Sequence, residues 1–227
     1  MKVLLLGLLF LSGAVLFGQD AEDLNRCVRD DDGFNQPAFF DLIGSASIEE
    51  IKSKGQYIQF NKLDNHGRSV LFGIAARWII FREETIEDHL DLMKFFIENG
   101  APVGIADSDG NLKYERSEIC RLAAGDTLEL FEYLLSVESH LANIKCRYIQ
   151  RNKKHIMIPI SEFVKNTDEI TSFTGSFYNN RSYKYNQGYR NKVKQDKLKL
   201  LKEAKARAVT VPRKYTEEWR NSLPKCE

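Results

Sequence analysis

No signature of a catalytic or metal centre runs through this chain. It has no G-x-S-x-G, no G-x-x-x-x-G-K-[ST] and no H-E-x-x-H, which removes the nucleophile-elbow, phosphate-loop and zincin readings. It has no C-x-x-C, and its four histidines (His66, His89, His140 and His155) stand at no ligand spacing, so no metal is expected. Charge of one sign is not in excess either. The 33 basic and 32 acidic residues leave a net +1, which selects no class of partner. Two Asp-rich segments, Asp30–Gly33 and Asp107–Gly110, fail as calcium loops. With each glycine at loop position six, Phe39 or Arg116 falls where a bidentate Glu is needed, and Val28 or Ile105 falls at position one. They read as turns. The expectation is a chain without cofactor or metal that is not an enzyme.

What is present first is an apolar N-terminus. Lys2 precedes a run from Val3 to Phe17, broken by Gly7, Ser12 and Gly13, and the first acid is Asp20. That pattern reads as a secretory signal peptide over residues 1–18, cleaved after Gly18. The run is short for a transmembrane span, and an uncleaved anchor is the alternative. No cysteine follows the cut, which argues against a lipoprotein anchor. An exported chain, periplasmic or secreted, is expected. All four cysteines (Cys27, Cys120, Cys146 and Cys226) fall in the mature part, so an oxidising compartment permits two disulfides. Three pairings are open. In one of them Cys120–Cys146 staples neighbouring segments and Cys27–Cys226 ties the termini. Buried free thiols are the plainer reading.

A motif is then written twice. Asp64–Gly67 leads into the small-residue segment Ser69–Ala76, and Asp107–Gly110 leads into Ser117–Ala124. Each copy is followed by an amphipathic segment, Leu90–Ile97 and Leu128–Leu135, whose apolar residues recur at helical spacing. One apolar face on a lone helix hairpin is left uncovered, and stacking of hairpins covers it. Weaker copies flank the pair. Pro37–Ile43 with Ile48–Lys52 stands upstream, and Pro159–Val164 with Leu198–Ala204 stands downstream.

These residues resemble the ankyrin repeat, a turn followed by two antiparallel helices. Gly67, Ser69, Leu71 and Ala75 match its first signature; Leu90, Met93, Phe96, Ile97, Gly100 and Ala101 match its second. The resemblance implies an all-α, ankyrin-like solenoid of about four irregular helix-pair repeats. An N-terminal segment would cover 19–35. The repeat domain would cover 36–209, divided near 36–63, 64–106, 107–152 and 153–209 with an insertion near 168–195, and a tail would cover 210–227. Departures from the pattern are clear. Val70 and Glu118 replace the usual proline, Phe72 and Cys120 replace the usual histidine, and Trp78–Glu84 lies within an added stretch between two helices.

Phe173–Arg190 is the most unusual segment, rich in Tyr, Asn, Ser and Gly and free of acid. Binding loops use that composition for rigid aromatic area and adaptable hydrogen bonding. Tyr178, Tyr183, Tyr185, Tyr189 and Arg190 are therefore candidate partner-binding residues, joined by Asn65, His66 and Asp109 at the repeat turns. Beyond Tyr178 the chain is strongly basic, and by subtraction the rest is acidic. Export argues against a nucleic-acid partner for that region. Weak association with an anionic envelope surface is a further expectation, beside the plain reading of a solvated helix face. The resemblance implies a protein–protein interaction module in the cell envelope or extracellular space, using the concave repeat face and inserted loops. Narrower roles it implies are an immunity protein neutralising a secreted toxin and a host-directed secreted effector.

Overall fold

The computed structural model of the chain describes residues 26–29, 35–55, 68–80, 84–103, 117–125, 127–149, 155–167 and 187–207. These residues are mostly helical, as the periodicity predicts. Eight α-helices are described: α1 (Ala38–Ser45), α2 (Ile48–Lys54), α3 (Val70–Ile80), α4 (Ile86–Glu98), α5 (Glu118–Ala124), α6 (Glu129–Val137), α7 (Ile160–Lys165) and α8 (Gln187–Arg207). Two short antiparallel hairpins accompany them. The first pairs β1 (Cys27–Arg29) with β2 (Asn35–Pro37), and the second pairs β3 (Lys145–Ile149) with β4 (His155–Pro159).

The helix ends follow local chemistry. Ser47 caps α2 by accepting the Glu50 N–H at 3.2 Å. Thr85 and Asp88 form a reciprocal capping box at the start of α4, each accepting the other's backbone N–H. At the far end of α4, Gly100 has φ +94°. It donates to Ile97 O while Ala101 donates to Phe96 O, a Schellman closure that needs a residue tolerant of the left-handed region. Buried Ala101 and Val103 then turn the chain back onto the core.

The packing order is regular. Helix α1 packs on α3, α3 on α5 and α5 on α7; α2 packs on α4, α4 on α6 and α6 on α8. Across these two rows α3 meets α4, α5 meets α6 and α7 meets α8. One continuous apolar core runs from Phe39 through Leu71, Phe96, Phe131 and Leu141 to Ala204. A 3₁₀ turn at Ser139–Asn143 bridges α6 and α8.

Three segments differ from the sequence reading. Helix α3 continues through Ile80, so Trp78–Ile80 is helix rather than added stretch. The β3–β4 hairpin spans the boundary expected near 152, with buried Cys146 opposite buried Ile158. Its exposed Lys145 and Met157 alternate with those two, the period of a strand covered on one face. Helix α8 begins at Gln187, so the end of the insertion expected near 168–195 is helical. Val193, Lys197, Leu201 and Ala204 form its buried stripe at spacings of three and four. Lysine in the middle of that stripe hides it from hydropathy.

The disulfide question is half answered. Cys120 and Cys146 are bonded, joining α5 to β3. Cys27 is also disulfide-bonded; Cys226 lies outside the described residues.

Candidate functional site

Of the residues singled out by sequence, Asn65, His66, Asp109, Tyr178, Tyr183 and Tyr185 lie outside the described residues. Tyr189 and Arg190 are placed, and both stand in the first turn of α8 rather than in a loop. The Tyr189 side chain is 38% exposed and Arg190 is half-buried.

The described residues add a second set that sequence reasoning passed over. It runs along the row of first helices. Phe40 of α1 and Phe72 of α3 are half-buried, and the Arg68 guanidinium lies between them, 5.9 Å from one ring centre and 5.4 Å from the other. Arg121 of α5 approaches the Phe72 ring at 5.2 Å. Phe40, Arg68, Phe72 and Arg121 thus form one strip across three successive helices. Gly73 makes room for it, because a Cβ there would meet the Phe40 ring at 3.3 Å. Guanidinium groups against ring faces gain cation–π attraction and hold rigid aromatic area at a partly wet surface. Arginine and aromatic residues are also the types that carry most of the energy in protein interfaces. The signal in sequence was Phe72 itself, which stands where the repeat pattern has histidine.

The second row carries a different surface. Lys52 of α2 pairs with Asp91 of α4, and Lys94 of α4 lies 5.7 Å from the Tyr133 ring of α6. Burial, with Glu98 nearby, holds the Tyr133 phenol above its ordinary range. At the start of α4 the Thr85 backbone N–H and hydroxyl hold the Asp88 carboxyl below its ordinary range.

Two polar clusters sit inside the protein. Arg77 is 1% exposed; its Nε donates to Glu84 at 2.9 Å, a second nitrogen donates to the same carboxylate, and Nη1 donates to Ile43 O. His89, fully buried, places Nε2 3.0 Å from Glu84 and Nδ1 2.9 Å from Thr85 O. This cluster ties α1, α3 and α4 together. The other is Lys197, 1% exposed, whose ammonium donates to Leu122 O at 2.7 Å and to Gly125 O at the end of α5. It also lies 5.3 Å from the Phe131 ring centre. Arg77, His89 and Lys197 are buried while Glu84 is partly exposed, and both clusters tie helices together. Among the described residues no group of His, Cys, Asp and Glu is arranged to hold a metal ion. No helix among them is long and apolar enough to cross a membrane.

No family model matches the chain, and no curated protein or solved structure matches it.

Proposed function

We propose that this chain is an exported ankyrin-like solenoid that binds another protein across the row α1, α3, α5 and α7. The packing order carries the reading. Each first helix touches the first helix of the next pair, and each second helix touches the next second helix. Nearest-neighbour packing of this kind is what a stacked repeat solenoid would have, and it supports that reading. Along the first row the described side chains of α3 and α5 are buried or half-buried, and the half-buried ones supply the contact strip proposed here. Here that row bears Phe40, Arg68, Phe72 and Arg121, while the other row bears paired charges. An aromatic and arginine strip suits a protein partner better than a small substrate, which needs a closed pocket.

The test is affinity capture with the full chain from envelope and culture fractions, followed by calorimetry with the captured partner. Three variants separate the surfaces. Arg68→Ala with Arg121→Ala weakens binding by about 10-fold or more if the strip is the interface. Tyr183→Ala with Tyr185→Ala and Tyr189→Ala does the same if the Tyr-rich segment contributes. Lys52→Ala on the opposite row leaves affinity unchanged. A partner whose affinity survives both of the first two sets removes these surfaces from the proposal. A captured toxin would narrow the role to immunity.

A further inference from the structure

Helix α8 holds eight basic residues against Asp196 and Glu203, a net +6 within 21 residues, whereas the whole chain carries +1. The rest of the molecule is therefore net acidic. The charge is also sorted around the helix. Val193, Lys197, Leu201 and Ala204 face the core, and Lys192, Lys199 and Lys202 point away from it, flanked by Lys205 and Arg207. All five are exposed, and their side chains make no hydrogen bond or ion pair with a described residue. Glu203 is the one acid exposed among them.

Three properties of this face narrow its partner. The cations extend about 22 Å along a straight helix, so a flat surface meets them together. Four of the five are lysines, hydrated point charges without the fork that recognises single carboxylates or phosphates. No aromatic or large aliphatic side chain stands among Lys192, Lys199 and Lys202 on the outward arc, and Tyr189, 38% exposed in the first turn, is the one exposed large apolar side chain described on the helix, too little for an inserting amphipathic face. We propose that the outward face of α8 is an electrostatic docking surface for an anionic phospholipid bilayer, against which the helix lies without inserting. The proposal is independent of protein binding on the first-helix row. Adsorption by α8 leaves that row, on different helices, to a partner.

The experiment is flotation of the full chain with phosphatidylcholine vesicles, with and without about 30 mol% phosphatidylglycerol, at low and high salt. The readout is the ratio of partition to anionic over neutral vesicles, which cancels any contribution from the apolar segment Val3–Phe17. The expected ratio is far above one at low salt and falls towards one at high salt. Lys192→Gln, Lys199→Gln and Lys202→Gln together lower it about 100-fold, at about five-fold per lysine. Arg213→Gln with Lys214→Gln, in the basic tail, leaves it largely intact. An unchanged far-UV spectrum and melting temperature show that the triple variant folds. A wild-type ratio near one overturns the proposal. So does a triple variant that partitions like wild type, or capture by a soluble polyanion such as heparin without vesicle binding.

Discussion

Replacing Lys197 with methionine isolates what one buried ammonium contributes. The side chain is 1% exposed, with Nζ 2.7 Å from Leu122 O, donating also to Gly125 O and lying 5.3 Å from the Phe131 ring centre. Methionine keeps an unbranched stem of similar volume, so the packing of α8 on α6 is preserved. What disappears is the ammonium donor to two carbonyls at the C-terminal end of α5, where the helix dipole also favours a cation; Leu122 O still accepts the Gly125 N–H at 3.2 Å, so the loss falls mainly on Gly125 O. A buried carbonyl left without a partner costs about 1–3 kcal/mol. Against this stands the desolvation of the ammonium, several kcal/mol in the native state, which methionine does not suffer. The opposing effects are of similar size and leave Lys197→Met within about 2 kcal/mol of wild type. Lys197→Ala loses the stem contacts as well and falls about 2–5 kcal/mol below the methionine variant. Urea unfolding of the three proteins, compared at a common m value, measures both differences. Hydrogen exchange adds a local reading, with amides of the α5–α6 turn less protected in Lys197→Met. A methionine variant destabilised by more than about 4 kcal/mol would refute the reasoning, because relief of the ammonium's desolvation would then fail to offset the lost hydrogen bonds.

Other perturbations test separate parts of the argument. The Cys120–Cys146 bond closes a segment of sequence separation 26, so Cys120→Ala with Cys146→Ala lowers unfolding free energy by about 3.5 kcal/mol on the loop-entropy relation; a chemical melt under non-reducing conditions checks it. Two glycines give opposite signs. A Cβ at Gly55 meets the Phe95 ring at 2.5 Å, whereas one at Gly44 meets nothing within 4 Å. Gly55→Ala therefore destabilises by about 1–3 kcal/mol and Gly44→Ala stabilises by about 0.5 kcal/mol, read as shifts in thermal midpoint. Asp88 has its folded pKa below the ordinary 3.8 because Thr85 donates to the carboxylate. A depressed carboxylate pKa gives stability that is present above the unfolded value and lost as pH falls through the folded one. Asp88→Asn is thus less stable than wild type at neutral pH, and the gap closes below about pH 4 in acid titrations of stability; a gap that persists in acid would assign the loss to packing.

Local signals gave the helices because their causes are contiguous in the chain. Of the residues at helical spacing, Met93, Phe96, Phe131, Leu134 and Leu135 are buried, Leu90, Ile97 and Leu128 are half-buried, and Leu92 and Leu130 complete the buried stripes. Gly100, which follows the periodic segment Leu90–Ile97, has the positive φ of a helix closure. An even cysteine count in a chain read as exported allowed a disulfide between Cys120 and Cys146 without choosing it. The choice came from the approach of α5 to β3, a hairpin whose alternation is too short to stand out. Tertiary structure alone decided where the buried charges go. Arg77 reaches a carbonyl 34 residues away and Lys197 one 75 residues away. Hydropathy reads both as surface residues, and in the fold both are core. The Arg68 and Arg121 guanidiniums likewise converge on Phe72 only after α3 and α5 pack side by side. Periodicity and turn chemistry act over a few residues and are written into the sequence one element at a time. The partner of a buried cation is set by chain packing across long separations, and no local pattern specifies it.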